Sequence, residues 1–155
     1  MILASSEDVL KWRADRPEGI TMTNGCFDIL HIGHLQMLEF ASKLCGHLLV
    51  CINSDESVRQ LKGPSRPINS DVDRATLVGA LWCVDAVHIF KETRVINAIR
   101  LARPTFYVKA GDYTLETLDP GERAALEECG AKILFAPFIR GYSTTKIIQE
   151  AKGGS

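Results

Sequence analysis

Two imidazoles, His31 and His34, stand three residues apart with Gly33 between them. They follow a polar run, Asn24-Gly25-Cys26-Phe27-Asp28. An apolar run, Ile20 to Thr23, enters this stretch, and an amphipathic segment, Leu35 to Leu44, leaves it, which reads as strand, loop and helix. Asn24-Gly25 is a turn signal, because Gly25 can take a positive φ without steric cost. Gly33 sits where the helix begins. Without a Cβ there, an anion can reach the first backbone amides, where unpaired N–H groups and the helix dipole favour negative charge. Two histidines converging on such a point suit phosphate. His31 and His34 could also be part of a zinc site completed by Cys26 or Asp28, but no His-Glu-x-x-His spacing or cysteine pair supports that. The glycine patterns of dinucleotide and P-loop sites are absent. Phosphate transfer needs no protein nucleophile, which leaves Cys26 as a lining residue.

The elements that must position this loop alternate along the chain. Ser5 with Asp8 forms a capping-box pattern for a helix through Trp12 and Ala14. The first predicted strand is Ile20 to Thr23, and the helix from Gly33 ends at Gly46. His47 to Ile52 is a continuous apolar run, expected of a second strand covered on both faces. Asn53-Ser54-Asp55 then caps a short helix to Leu61. Ser70 and Asp73 open another helix through Leu77, Leu81 and Trp82. Arg74, in the first turn of that helix, either faces a ligand or pairs with Asp71 or Asp73. Val84 to Phe90 is the third predicted strand, with His88 on its solvent side. A helix around Val95 to Leu101 precedes the fourth strand, Thr105 to Lys109, and its loop Ala110-Gly111-Asp112-Tyr113. Glu122 to Cys129 is a helix closed by Gly130, Lys132 to Ala136 is the fifth strand, and Ser143-Thr144-Thr145 starts the last helix. The domain spans residues 1–150, with 151–155 expected to be a disordered tail.

Lys62-Gly63-Pro64-Ser65-Arg66-Pro67 carries two cations with no acidic neighbour in sequence. In isolation it is a solvated linker. Beside a triphosphate, Lys62 and Arg66 become charge donors, and without ligand their repulsion should hold the loop mobile and away from the site. A further oxyanion site is expected at Ser143, Thr144 and Thr145, whose hydroxyls and amides cluster at a helix start.

The chain has 155 residues, one ordinary domain, and a net charge of −1, which argues against nucleic acid or an anionic membrane as a partner. No run approaches the ~18 apolar residues of a membrane span, and no signal-peptide pattern opens the chain. The five cysteines lack CxxC spacing and read as reduced core residues of a cytoplasmic protein.

Asn24-Gly25-Cys26-Phe27-Asp28 followed by His31-Ile32-Gly33-His34 resembles the HxGH nucleotidyltransferases. The likeness continues through Asn53-Ser54-Asp55, Leu61 to Asn69, Val108 to Tyr113 and Tyr142 to Ile148, where it is similar to the heptose 1-phosphate adenylyltransferase subgroup. Two positions depart from it: Arg94 stands where proline is expected, and Ala110 where glycine is usual. The resemblance implies a Rossmann-like α/β domain whose five parallel strands take the order 3-2-1-4-5, so that ligands bind beyond strands one and four. It further implies adenylyl transfer from ATP to a heptose 1-phosphate, catalysed by His31, His34 and Lys62. Asn24, Gly25, Cys26, Phe27, Asp28, Gly33, Asn53, Asp55, Arg66, Lys109, Gly111, Asp112, Ser143, Thr144 and Thr145 would bind the substrates. Mg²⁺ would ride on the phosphates of ATP, with Asp28 as a protein contact to it. The kinase domain sometimes fused to this subgroup is absent from these residues, so a separate sugar kinase is expected upstream, and the family suggests a homodimer. Cytidylyl transfer to a polyol or amino-alcohol phosphate is the neighbouring activity. A nucleotide-binding regulatory domain without turnover is the alternative of another class.

Overall fold

A computed structural model describes residues 1–137, 141 and 143–153. Six parallel strands form one sheet: β1 (Ile2–Leu3), β2 (Thr21–Gly25), β3 (Leu48–Asn53), β4 (Ala86–Phe90), β5 (Phe106–Lys109) and β6 (Lys132–Phe135), in the order β1-β4-β3-β2-β5-β6. Five of them reproduce the expected order. The sixth, Ile2–Leu3, is an edge strand of two residues, too short to show any alternation in sequence. It also overturns the placement of His88 at the solvent. Leu3 lies opposite His88, whose Nδ1 sits 3.0 Å from the Leu3 carbonyl in a buried position.

Among the described residues seven helices connect or follow the strands: α1 (Ser6–Ala14), α2 (Ile32–Cys45), α3 (Asp55–Lys62), α4 (Asp71–Gly79), α5 (Ile96–Ala102), α6 (Pro120–Cys129) and α7 (Thr144–Gly153). Ser5 and Asp8 do form a capping box, and Gly46 closes α2 at φ 77°, a conformation that favours glycine. Strand β3 shows why its whole run is apolar. Leu49 and Cys51 pack with α1, α5 and α6 on one face, while Leu48, Val50 and Ile52 pack with α2 and α4 on the other. Helix α4 stops at Gly79, earlier than expected, and Trp82 is 75% exposed. Helix α7 runs through Gly153, so residues 151–153 of the expected tail are helical. Residues 154 and 155, and Tyr142 of the motif before α7, lie outside the described residues. All five cysteines are free, with Cys51 and Cys83 buried and the others half-buried.

The helix-sheet scaffold meets the phosphate loop through Arg74, whose side chain is fully buried. It faces neither a ligand nor Asp71 and Asp73. Instead Nη1 donates to the Cys26 carbonyl, Nε donates to the Asn69 carbonyl at 3.1 Å, and Nη2 donates to Asp55 Oδ1 at 2.8 Å. One planar cation thus ties together β2's exit loop, the approach to α4 and the start of α3. Removing it leaves three part-buried acceptors short of a donor. Arg74→Met is expected to destabilise the fold by about 3 kcal/mol or more, a fall in the thermal midpoint on the order of 10 °C. A midpoint unchanged within about 2 °C would show that the loop is held by other contacts.

Candidate functional site

The strand order reverses between β2 and β5, and the loops beyond their C-terminal ends face each other. Two cavities open there. One, of about 640 Å³, is lined by Asn24, Gly25, Cys26, Phe27, Asn53 and Lys109 among others. The second, of about 400 Å³, is lined by His31, Gly33, Gly111, Asp112, and the run Ser143, Thr144 and Thr145. His34, Met37, Lys62, Ala110 and Tyr113 line both. The wall between the cavities therefore carries one imidazole and one ammonium.

Helix α2 begins at the second cavity with His31 as its N-cap, no side-chain cap and no acid in its first turn. Its opening amides and positive dipole end stay available to an anion. The His31 and His34 rings stack at 3.8 Å between centroids, and Phe27 leans on His34 at 5.0 Å. Burial is the main cause that lowers both pKa values. His34 falls to about 4, pushed further by His31 and by the Lys62 charge. Both imidazoles are neutral at pH 7. Each has a buried Nδ1 without a hydrogen-bond partner among the described residues.

Phe27 holds a φ of 49°, uncommon for a bulky residue, and places its ring under His34. The turn freedom assigned to Gly25 is thus spent at Phe27. Gly25 answers a different need, since a Cβ there would stand 3.0 Å from the Phe27 ring. The last helix is joined to the same loop, because Thr144 Oγ1 donates to the Ile29 carbonyl at 3.2 Å. Ser143 Oγ accepts from the Lys146 amide at 3.1 Å, an N-cap contact.

Three residues expected to bind substrate line neither cavity. Asp28 is buried, and its carboxylate is fully engaged. Oδ1 accepts from the amides of Ile68 at 2.8 Å and Asn69 at 3.1 Å, and Oδ2 accepts from Arg66 Nε at 2.7 Å. Although burial alone would raise its pKa, these donors hold it below the ordinary carboxylate value. Such a carboxylate does not fit a metal contact. Among the described residues no group of three or more His, Cys, Asp or Glu is placed to hold a metal, which also removes the zinc alternative. Arg66, expected to swing as a loose cation, is anchored on Asp28, and Asp55 is committed to Arg74. These three brace the loop. Only Lys62, exposed at the end of α3, remains of the two loop cations facing the cavities, and no ion-pair partner for it occurs among the described residues.

Tyr107, Glu122 and Asp119, which carry no sequence signal for a site, join expected residues at the larger cavity. Asn24 Oδ1 accepts from Tyr107 Oη at 2.6 Å and Lys109 Nζ at 2.7 Å. Glu122 is buried, with Oε2 3.7 Å from Lys109 Nζ. Arg94 reaches Asp119 at 3.3 Å on the same rim. Desolvation lowers the Lys109 pKa, opposed by Glu122. No helix among the described residues is long and apolar enough to cross a membrane.

Comparison with known proteins agrees with this geometry. The chain is 43% identical over 144 residues to the bifunctional protein HldE of Koribacter versatilis, and 44% identical over 146 residues to that of Hyphomonas neptunium. These alignments cover 93% and 94% of the chain but only 29% of each relative, so the chain spans less than a third of the curated relatives' length. A lipopolysaccharide core biosynthesis protein from Thermoplasma volcanium superimposes with a TM-score of 0.66 at 25% identity, over 78% of this chain and 98% of that one. A pantoate-beta-alanine ligase from Francisella tularensis, at 12% identity and a TM-score of 0.64 over 98% of this chain and 77% of its own, shares the fold. A family profile described as cytidylyltransferase-like matches residues 22–150. With the two-histidine loop at the sheet's reversal point, the chain belongs to the cytidylyltransferase-like family of HxGH nucleotidyltransferases.

Proposed function

We propose that this nucleotidyltransferase transfers the adenylyl group of ATP to a heptose 1-phosphate, releasing pyrophosphate and giving ADP-heptose. The observation that carries the reading is the pair of cavities meeting at His34 and Lys62. In the smaller one, the triphosphate would lie along His31, the amides at the start of α2, and Ser143, Thr144 and Thr145. The sugar phosphate would enter the larger one. A phosphate oxygen of the acceptor then forms a bond to the α-phosphorus as the bond to the bridging oxygen of pyrophosphate breaks. The attacking oxygen is already anionic, so positioning and charge stabilisation do the catalysis and no strong base is required. ATP would enter as its magnesium complex, the ion offsetting part of the phosphate charge.

The histidines suit this task because they are neutral before substrate arrives. A neutral imidazole donates one hydrogen bond, and the arriving phosphate charge favours taking up a further proton. Lys62 supplies a fixed positive charge at the wall, where negative charge builds on the leaving and attacking oxygens. The 1-phosphate itself requires a prior phosphorylation of the sugar's anomeric hydroxyl, as by a sugar kinase. A homodimer in the cytoplasm, where ATP is abundant, is the setting proposed for this chain. A relative named for lipopolysaccharide core biosynthesis supports a sugar phosphate as acceptor, and the motif resemblance selects heptose. The family's cytidylyltransferase-like description favours CTP as the competing donor.

Pyrophosphate release measured with ATP and CTP across a panel of sugar and polyol phosphates tests the assignment. ATP should be preferred in kcat/KM by at least about tenfold, ~1.4 kcal/mol of differential binding. A preference for CTP would move the activity to polyol-phosphate chemistry on the same site. His34→Ala should lower kcat by roughly 10² or more with the fold intact, since the lost donor acts on transition-state charge. Near-normal turnover would make His34 structural.

The depressed histidine also gives a signed pH dependence. Its folded pKa lies below the unfolded value, so the unfolded chain binds the proton first. This contribution to stability is complete above about pH 6.5 and is lost as pH falls toward about 4. Imidazole proton NMR should give a midpoint near 4 for His34 in the ligand-free protein. A midpoint near 6.5 would mean that the ring is solvated and charged on demand.

A further inference from the structure

The larger cavity contains a buried carboxylate that the transfer chemistry leaves without a task. Glu122 is 4% exposed and lies on the cavity wall, within the first turn of α6. A buried carboxylate requires compensation, and its two oxygens offer about four acceptor sites. The Lys109 ammonium supplies the opposite charge but not a short bond, at 3.7 Å against the roughly 2.7–2.9 Å of a charge-assisted hydrogen bond. That ammonium donates instead to Asn24 Oδ1 at 2.7 Å. No donor other than Lys109 reaches the Glu122 carboxylate among the described residues.

Capping of the helix does not explain the side chain either. Glu122 is the third residue of α6, where a glutamate commonly turns back to the N-cap amide. The start of this helix is capped by Asp119 Oδ1, which accepts from the amides of Gly121 at 2.9 Å and Glu122 at 3.1 Å. Pro120 at the first helical position removes one donor that would otherwise need a partner. The Glu122 side chain is therefore left facing the cavity and Lys109. Asn24 reinforces the arrangement. Its Oδ1 is taken by both Tyr107 and Lys109, which fixes the amide and holds the ammonium beside the carboxylate.

We propose that Glu122 is the specificity-determining residue for the acceptor, its carboxylate taking hydrogen bonds from two neighbouring hydroxyls of the sugar while Lys109 holds it in place. This rests on the reading of the larger cavity as the acceptor's. With the acceptor phosphate at the His34–Lys62 wall, the body of the sugar extends toward Glu122. A carboxylate with free lone pairs beside a buried ammonium matches a vicinal diol, which donates to the first and can accept from the second. A choline headgroup has no hydrogen bond to donate and would bring a second cation against Lys109.

The test is steady-state pyrophosphate release with heptose 1-phosphate and its mono-deoxy analogues, using the wild-type protein and Glu122→Gln. A site built to bond a hydroxyl discriminates strongly against its absence. Wild-type kcat/KM should therefore fall by about 10² or more for the analogue lacking a contacted hydroxyl and little for the others. Glu122→Gln should raise KM for the sugar phosphate about tenfold or more while KM for ATP stays within about twofold, and it should flatten the deoxy series. Should the variant fail to fold, the wild-type series decides alone, since equal use of every deoxy analogue overturns the proposal. An equal rise of both KM values in Glu122→Gln would overturn it too. If the wild-type protein instead turns over another polyol phosphate, the same comparison is made with that acceptor. A deoxy effect abolished in Glu122→Gln would then uphold Glu122 while the heptose assignment falls. Turnover confined to choline or ethanolamine phosphate would overturn the role of Glu122 directly.

Discussion

The buried guanidinium of Arg74 is the interaction on which the site's shape depends. A fully desolvated cation is tolerable only when its donors are met, and here three acceptors from separate segments meet them. The bond to the Cys26 carbonyl fixes the phosphate loop in its middle, two residues after Asn24 and one before Phe27. Phe27 can then keep its left-handed backbone and hold its ring against His34. Asp28 secures the far side of the same loop. It binds Arg66 and the amides of Ile68 and Asn69, and the Asn69 side chain returns a bond to the Asp28 carbonyl at 2.7 Å. Because Arg74 also holds the Asn69 carbonyl, the two charged anchors share one segment. The loop is braced by ion pairs whose members line neither cavity, the kind of supporting layer that holds reacting groups in place.

Charge within the site is distributed by the same logic. Asp28 and Asp55 are consumed in bracing the loop, and the first turn of α2 carries no acid. Burial lowers the pKa of both histidines, that of His34 further through His31 and Lys62, and Lys62 is an ammonium that both cavities reach. The larger cavity differs in character. Lys109 pairs with Glu122 and Arg94 with Asp119 on its wall, so much of its charge is internally balanced, which suits a polyhydroxyl body more than a polyanion. A polyanionic donor and a sugar acceptor would thus find separate surfaces that meet at one wall.

How much of this is legible in the chain depends on the range of the interaction. Local signals are read well. The capping box at Ser5 and Asp8, the glycine end of α2 at Gly46 and the doubly covered strand β3 follow from spacing and backbone preference. The two-histidine loop is equally clear, and fifteen of the eighteen residues singled out from sequence line one cavity or the other. Failures occur where the partner is distant. Arg66 looks unpaired because Asp28 lies 38 residues away, and Asp28 looks like a metal contact because a bracing carboxylate and a ligating one have the same sequence. Glu122 carries no signal, since an Asp-Pro-Gly-Glu run reads as a helix start whichever way its last side chain turns. His88 reads as solvent-facing because the two-residue strand that covers it leaves no pattern in the sequence.

The central claim is a single displacement in which the acceptor phosphate attacks ATP directly across the His34–Lys62 wall. Exchange of labelled pyrophosphate into ATP tests it most directly. With the protein and magnesium–ATP alone no label should enter ATP, because no side chain takes the adenylyl group. With ADP-heptose present, labelled pyrophosphate should appear in ATP as the reaction runs backward. Exchange without any sugar compound would require an adenylylated protein, and it would contradict the account.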